Sequence, residues 1–321
     1  MKSNYYRNFL LVYLLSLFSL NLAFAKDDVV GLSPMEKSWV ETHTVKVGVE
    51  EWAPFVFSNT GSDIDGIAGD ILKKIIERTG LKTSAVNDTW SSLLNDFKDK
   101  NIDLIPVANY SEERSAYGLF STEYLKMRDY LFVKEDNKNI HSMSDLESKK
   151  LAVVEGYSII ASIKKKFPKI QIVYTANLDD SINRVLSGQV DALYDGKIVV
   201  ERKINGELIT GLKGIAQNDF KALGLHFFSN KDAPLLQSIL QKGLDSFSEK
   251  EKRNIIENWI GQSSELSTSS ELSVNIDKVL NAPSESNIKL WLIVLSMAIF
   301  ILIVIFAFVL PRFVSNESLL N

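Results

Sequence analysis

Hydrophobic and polar positions alternate along this chain with two different periods. Valine occupies every second position from Val45 to Val49, which predicts a first β-strand. Between Gly66 and Thr79 the apolar residues recur at helical spacing, and Gly80 follows as the expected helix stop. Further predicted strands lie at 102–107 (ending at Pro106), 151–154 and 190–194, and further predicted helices at 178–186, 235–247 and 249–259. This order of elements predicts an α/β fold with mostly parallel sheets.

The longest apolar run of the chain extends from Leu290 to Leu310, and Ser296 is its polar member. As a helix it has a length of about 30 Å, which equals the hydrocarbon thickness of a bilayer. We therefore predict a transmembrane helix at 290–310, followed by a short cytoplasmic tail at 311–321. The preceding residues 263–289 are rich in Ser, Glu and Asn, as is typical of a linker.

The N-terminus has the pattern of a secretory signal peptide. Lys2 and Arg7 precede an apolar stretch, and Ala23-Phe24-Ala25 provides a cleavage motif. The alternative interpretation is an uncleaved N-terminal helix. With the signal peptide at 1–25, the main domain at 26–262 is predicted to lie in the periplasm, held to the inner membrane by one helix.

Composition excludes several classes of site. The chain contains no cysteine, which removes disulfides and thiolate metal sites. Its net charge of −4 gives no reason to expect nucleic-acid binding. The three histidines are far apart in the sequence, so no metal or cofactor site is predicted. A domain of this length buries enough surface to fold without such cross-links.

Ligands of α/β sheets bind beyond the carboxyl ends of strands, so the segments after each strand are the candidates for a site. Trp52 follows the first strand and supplies an aromatic wall, although the neighbouring Phe55 and Phe57 also fit a core. Arg114 follows the next strand with Asn109 and Ser111 nearby, and its guanidinium can pair a carboxylate bidentately. A solvated loop arginine is the alternative interpretation.

Two later segments offer weaker signals. Ser158 opens a helix after the strand at 151–154, where backbone N–H groups can bind an anion or Ser158 can act as an ordinary N-cap. Asp195 follows the strand at 190–194 and can accept an ammonium group, although a turn aspartate is an equal alternative.

Taken together, these segments resemble the bacterial extracellular solute-binding proteins of family 3, the amino-acid-binding class of periplasmic binding proteins. No single motif is decisive, but their order and spacing are specific. The matching motifs lie at 45–49, 52–57, 66–72, 101–114, 120–124, 146–156 and 187–192.

This resemblance implies a two-lobed Venus flytrap joined by two crossover strands. Lobe one would comprise residues 45–131 and 223–260, and lobe two residues 132–222. By similarity, Arg114 would bind a ligand carboxylate, flanked by Asn109 and Ser111. Trp52 and Trp90 would enclose the ligand's side chain, while Ser158 and Asp195 would close from lobe two.

The chain departs from the family pattern at two acidic positions. Many amino-acid binders have Asp where Val49 and Gly196 stand, and those carboxylates receive the α-ammonium group. The nearest substitutes here are Glu50, Glu51 and Asp195, each displaced by one residue, and a one-residue shift in a strand reverses the facing of a side chain. A carboxylate-bearing ligand is thus better supported than an α-amino acid.

Three functions remain open from the sequence. The first is a membrane-anchored solute-binding protein that serves a permease. The second is a sensory input module acting through a partner such as a histidine kinase, because residues 32–39 resemble the lead-in of flytrap sensor domains. The third, which we do not favour, is a dehydratase-like enzyme that uses Glu50 or Glu51 with Asp195 as an acid/base pair.

Overall fold

The computed structural model describes residues 30–260, which form two lobes, each built on one β-sheet with flanking helices. The predicted signal peptide, linker, transmembrane helix and tail lie outside these residues. Within residues 30–260, no helix combines the length and apolarity needed to cross a bilayer.

Lobe one contains the described residues up to Met127 and those from Leu223 to Ile260. Its sheet has the strand order β2-β1-β3-β11-β4, and β5 pairs with β11. The elements of lobe one are α1 (Pro34–Thr42), β1 (Thr44–Val49), α2 (Ile67–Thr79), β2 (Lys82–Asn87), α3 (Trp90–Lys98), β3 (Leu104–Asn109), α4 (Glu112–Ser115), β4 (Gly118–Phe120), β5 (Leu125–Met127), β11 (Leu223–Asn230), α8 (Pro234–Asp245) and α9 (Glu249–Ile260).

Lobe two contains the middle of the chain. Its five strands have the order β10-β6-β9-β7-β8. The elements of lobe two are β6 (Asp129–Lys134), a 3-10 turn (Met143–Leu146), β7 (Lys150–Val154), α5 (Ile159–Lys166), β8 (Gln171–Thr175), α6 (Leu178–Leu186), β9 (Ala192–Gly196), α7 (Lys197–Gly206) and β10 (Leu212–Ala216).

The predicted helix at 66–79 is present as α2, and its sequence explains both ends. Gly66 precedes the helix with φ 94°, and Gly80 ends it in the left-handed region with φ 78°. Ile67, Ile71 and Ile75 are buried along one face, as the spacing predicted. Burial of this apolar face against the sheet is what stabilises the helix.

Each sheet is mixed rather than mostly parallel. In lobe one, β1 runs parallel to β2 and β3, whereas β11 is antiparallel to β3. In lobe two, β7 runs parallel to β8 and β9, whereas β6 is antiparallel to β9 and β10. The chain passes between the lobes twice, and the antiparallel strands β6 and β11 come directly after these two crossings. Strand direction set by such a crossing is a long-range feature, which local periodicity does not report.

Pro106 does not end its strand, contrary to the sequence-based prediction. Strand β3 continues through it to Asn109 because the pairing with β11 contains a bulge at this point. Pro106 and Val107 lie opposite the single residue Phe227, so no ladder bond requires a proline N–H. The Pro106 carbonyl accepts a hydrogen bond from Tyr124 Oη at 2.8 Å.

The first lobe boundary lies four residues before the predicted one. The whole of β6 from Asp129 pairs in the second sheet, so the chain leaves lobe one after Met127 rather than after Leu131. The second crossing falls between Ala216 and Leu223. This correction assigns Asp129 to the junction of the two lobes.

The strand predicted at 190–194 begins later, at Ala192. The Gln189 and Val190 N–H groups both donate to the Arg184 carbonyl and so complete the end of α6. Gly188 allows this turn because it adopts φ 74°, a value that favours glycine. Strand β9 therefore extends to Gly196 and includes Asp195.

The lead-in segment is fixed to lobe one by a buried carboxylate. Ser33 and Glu36 form a capping box at the start of α1. Glu36 also accepts hydrogen bonds from Ser238 at 2.7 Å and from Lys242 at 2.7 Å, both in α8. Burial by itself raises the pKa of Glu36, but these bonds outweigh it and lower the pKa to about 2.

Candidate functional site

A narrow cleft lies where the two lobes meet. Lobe one contributes Trp52, Trp90 and Arg114 to its walls, and lobe two contributes Asp129 and Tyr157. The free space is about 30 Å³, room for roughly two water molecules. A ligand the size of an amino acid can therefore enter only if the lobes move apart.

Arg114 lies in this cleft and connects the lobes. Arg114 lies on the short helix α4, which follows β3, and the residue is 4% exposed. Nη1 donates to the Asn109 carbonyl at 2.7 Å, and Nη2 donates across the cleft to the Gly156 carbonyl at 2.9 Å. Burial lowers the pKa of Arg114 from its ordinary value, yet an arginine remains charged at any physiological pH.

Two aromatic residues face each other beside Arg114. The Arg114 guanidinium carbon lies 4.9 Å from the centre of the Trp90 ring, and Trp90 meets Tyr157 edge-on at 6.3 Å. Trp90 Nε1 is buried and has no hydrogen-bond partner among residues 30–260. Burying a donor without a partner is unfavourable, so this group marks a position for a ligand or water atom.

Trp52 and Asp195 form a second connection between the lobes. Trp52 Nε1 donates to Asp195 Oδ1 at 3.3 Å, and the Gly196 N–H donates to the same oxygen at 2.7 Å. Asp195 is 3% exposed and lies directly behind the residues that line the cleft. Burial raises the pKa of Asp195 to about 6, against the opposing effect of those two hydrogen bonds and of a third with the Tyr157 hydroxyl.

Two further carboxylates line the cleft, Glu50 and Asp129. Burial and the nearby charge of Asp195 raise the pKa of Glu50 well above its ordinary value. The same two causes raise the pKa of Asp129 to about 8. Asp129 was missed by the sequence analysis, which placed it inside lobe one. Its position at the crossing between lobes is the signal that could have identified it.

Tyr157 was also missed as an individual residue, although its segment had been selected. Burial and the charges of Asp195 and Glu50 raise the pKa of Tyr157 well above its ordinary value. The hydroxyl is therefore neutral over the physiological range and can donate or accept a hydrogen bond.

The other predicted site residues divide into two groups. Asn109 and Ser158 line the cleft, and the Asn109 side chain donates to the Gly224 carbonyl at 3.1 Å. Ser111 lies outside the lining, because its hydroxyl caps α4 by accepting from the Arg114 N–H at 3.2 Å. Glu51 is exposed and is not part of the lining either. Of the two neighbouring acids Glu50 and Glu51, Glu50 is therefore the one that lines the cleft.

Within residues 30–260, no group of three His, Cys, Asp or Glu side chains is placed to hold a metal ion. The chemistry available is ion pairing, hydrogen bonding and contact with aromatic faces.

Comparison with known proteins places this cleft in context. Residues 45–262, more than half of the chain, match the family of bacterial extracellular solute-binding proteins, family 3. The crystal structure of the Bordetella pertussis BvgS periplasmic VFT2 domain superposes with a TM-score of 0.65 at 24% identity, covering 71% of this chain and 99% of that domain. The two-lobed flytrap fold predicted from the sequence is confirmed.

Two kinds of relative share the sequence. The virulence sensor protein BvgS of Bordetella pertussis is 25% identical over 246 residues, which cover 76% of this chain but 20% of BvgS. A probable amino-acid ABC transporter-binding protein of Haemophilus influenzae is 26% identical over 198 residues, which cover 60% of this chain and 76% of that protein. These relatives are a sensor and a binding protein. On the family match and the fold, this chain belongs to the bacterial extracellular solute-binding proteins, family 3.

Proposed function

We propose that this protein is a periplasmic solute-binding flytrap, anchored to the inner membrane by residues 290–310, that captures a small amino-acid-like ligand bearing a carboxylate. The observation that carries this proposal is the buried guanidinium of Arg114 at the contact between lobes. A buried cation that faces a cleft favours an anionic partner, and the guanidinium fork matches a carboxylate. The amino-acid transporter relative from Haemophilus influenzae supports the same ligand class.

Capture would exchange one set of contacts for another. In the present structure Arg114 donates to the Gly156 carbonyl, and a ligand carboxylate would take that position once the lobes separate. Trp90 Nε1 lies beside Arg114 and would donate to the same carboxylate. The acids Glu50, Asp129 and Asp195 would receive an ammonium group, in place of the family acids absent at Val49 and Gly196.

Differential scanning fluorimetry of the purified full-length protein tests this function. The screen would cover amino acids, organic acids and polyamines. A ligand at a hundredfold excess over its Kd is expected to raise the free energy of unfolding by about 2.7 kcal/mol. If organic acids and amino acids all leave the melting temperature unchanged, capture of a carboxylate ligand is rejected. Turnover of a ligand would instead support the enzyme interpretation.

A sensory role is the second candidate, and one contact favours it. Helix α9 is the last described element before the predicted linker and membrane helix. Its Trp259 donates to Asp70 at 2.7 Å and meets Phe57 edge-on, both in lobe one. The guanidinium of Arg202, from lobe two, lies 5.8 Å from the centre of the Trp259 ring. Motion between lobes would therefore reach the helix that leads toward the membrane.

Replacing Arg202 with alanine is expected to uncouple α9 from lobe two. In the wild-type protein, a bound ligand should change hydrogen exchange in residues 249–260, whereas in Arg202→Ala it should leave that exchange unchanged. Lys197→Ala is the matched control, because Lys197 lies 5.2 Å from the ring centre of Tyr130, within lobe two. An equal ligand response in Arg202→Ala and wild type would reject the coupling.

The partner distinguishes transport from sensing. Affinity capture of the full-length protein from membranes should recover a permease if the protein serves transport, and a kinase if it serves sensing. The BvgS relative, a virulence sensor protein, favours sensing.

A further inference from the structure

Three carboxyl groups meet at the contact between the lobes, and both lobes contribute to the group. Glu50 follows β1 in lobe one, whereas Asp129 begins β6 and Asp195 lies in β9 of lobe two. Glu50 and Asp129 line the cleft, and Asp195, 3% exposed, lies directly behind them. The free space of about 30 Å³ between the lobes admits roughly two water molecules. With the lobes in contact, these carboxyls therefore share a small volume that contains little water.

The positive charge in this volume is too small for three ionised carboxylates. Arg114 is the one cationic side chain among the described residues that line the cleft. Its Nη1 and Nη2 donate to the carbonyl oxygens of Asn109 and Gly156. Full ionisation of the acids would place like charges together away from water, which strongly disfavours the charged forms. The closed arrangement of the lobes therefore favours protonated carboxyls.

The pKa values of the three acids agree with this conclusion. Burial and the charge of Asp195 raise the pKa of Glu50 well above its ordinary value, and the opposing charge of Arg114 is outweighed. Burial and Asp195 also raise the pKa of Asp129 to about 8. Burial raises the pKa of Asp195 to about 6, despite the three hydrogen bonds that this carboxyl makes. At neutral pH the closed arrangement thus holds protons on Glu50 and Asp129.

The other titratable groups that face these acids, among residues 30–260, are Arg114, Glu51, Tyr157 and Tyr194. Arg114 keeps its charge at any physiological pH. Burial and the neighbouring acids raise the pKa of Tyr157 and of Tyr194, so both hydroxyls stay neutral. Glu51 adds the smallest of the contributions that raise the pKa of Glu50. The three acids at the lobe contact are therefore the groups whose titration decides the charge there.

We propose that closure of the lobes depends on protons: protonated Glu50, Asp129 and Asp195 stabilise the closed arrangement, and loss of these protons separates the lobes. Separation returns the carboxyls to water, where burial no longer raises their pKa and each ionises near its ordinary value of about 4. The closed arrangement therefore binds more protons than the open one. Its stability is greatest at acid pH and is lost as the pH rises through the raised values. This device goes beyond the proposed function, because it concerns the two lobes without any ligand.

The size of the pH effect follows from the number of protons released. Each carboxyl that is protonated in the closed arrangement and ionised in the open one changes the ratio of the two about tenfold per pH unit. Glu50 and Asp129 meet this condition between pH 5 and pH 7. We therefore expect the ratio of closed to open protein to fall at least about tenfold per pH unit over this range.

The absence of cysteine from the chain allows a direct measurement of the distance between lobes. Spin labels would be attached through Glu112→Cys on α4 and Ala161→Cys on α5, two exposed positions on different lobes. Double electron–electron resonance on the purified full-length protein, without added ligand, should give a short distance at pH 5 and a growing population of longer distances toward pH 8. Small-angle X-ray scattering of the unlabelled protein should show a larger radius of gyration at pH 8. Equal distances at both pH values, or opening at acid pH, would overturn the proposal.

A double variant, Glu50→Gln with Asp129→Asn, assigns the effect to these acids. Both amides are neutral at every pH and nearly conserve volume, so the lobes should stay closed at pH 8. Glu155→Gln with Asp136→Asn is the matched control, because both residues are exposed carboxylates outside the cleft lining. The control should open as the wild type does. Opening of the Glu50/Asp129 variant to the wild-type extent would overturn the proposal.

Asp129→Asn alone provides a further test if the double variant does not fold. It should reduce the pH dependence of opening by about one proton, or about tenfold per pH unit, and an unchanged dependence would again overturn the proposal. Ligand capture is tested separately by the fluorimetry screen, so failure of the proton-dependent closure and failure of the proposed function are distinguishable.

Discussion

Replacement of Arg114 with alanine is expected to abolish ligand-induced stabilisation of this protein. Removing one partner of a buried, hydrogen-bonded charge pair costs about 2–5 kcal/mol of binding free energy, which is roughly a thirtyfold to several-thousandfold loss of affinity. Arg114 meets this condition because it is 4% exposed and faces the cleft. Titration calorimetry with the ligand found in the screen measures the loss directly.

The same substitution should also loosen the contact between lobes. The Gly156 carbonyl of lobe two would lose the donor that reaches it at 2.9 Å. This is a hydrogen bond to a charged group, worth about 1.5–3 kcal/mol. We therefore expect a larger radius of gyration in small-angle X-ray scattering, with each lobe still folded. Arg114→Lys keeps the charge but not the fork, so it should recover only part of the affinity.

Arg78→Ala separates a loss of binding from a loss of stability. Arg78 is also an arginine with ion-pair and ring contacts, but it is only partly buried and lies wholly within lobe one. It donates to the Ser246 carbonyl at 3.0 Å, pairs with Glu251 and lies 4.5 Å from the centre of the Phe247 ring. This variant should lower the melting temperature and leave the Kd of the ligand unchanged. Equal loss of affinity in both variants would mean that Arg114 acts only through the fold.

Phe228→Ala is expected to lower the free energy of unfolding by about 3–5 kcal/mol, the range for large aromatic deletions in a core. Phe228 has no exposed surface, and its ring stacks on Phe97 and on Phe120 at centroid distances of 4.4 Å each. It stands in β11 opposite Ile105, next to the bulged segment of β3, so its loss also weakens the strand that carries Asn109. At 2–4 °C per kcal/mol, the melting temperature should fall by roughly 10 °C.

Tyr110→Ala is the control for this deletion. Tyr110 touches the same aromatic cluster through Phe120 at 5.2 Å, but it is 56% exposed. A surface substitution of this kind changes stability by about 0.5 kcal/mol or less. Comparable losses for Tyr110→Ala and Phe228→Ala in chemical denaturation would show that burial of the cluster is not what stabilises lobe one.

Local pattern was sufficient for most individual elements. Alternation identified β1, helical spacing identified α2, and the predicted helix at 178–186 has the bounds of α6. These predictions succeed because one buried face imposes its period directly on the sequence. The prediction that the strand ends at Pro106 was wrong. The strand continues because its pairing with β11 contains a bulge, and β11 lies more than a hundred residues later in the chain.

The site was only partly accessible to such reasoning. Trp52, Trp90, Asn109, Arg114 and Ser158 were selected from their positions after strands or from family motifs, and all of them line the cleft. Their roles toward a ligand remain predictions. Ser111 was selected in the same way, but its hydroxyl is used to cap α4. Position after a strand brings a residue to the correct edge of a sheet without deciding which way its side chain points.

The sequence by itself determined the α/β class, the placement of the main helices and the presence of one arginine suited to a carboxylate. The tertiary structure decided which acids surround it. Glu50, Asp129 and Asp195 come from distant parts of the chain, and only the crossing after Met127 and the contact between lobes bring them to one cleft. Local periodicity reports which face of an element is buried, whereas the grouping of three acids near one arginine arises from how two separately folded sheets meet.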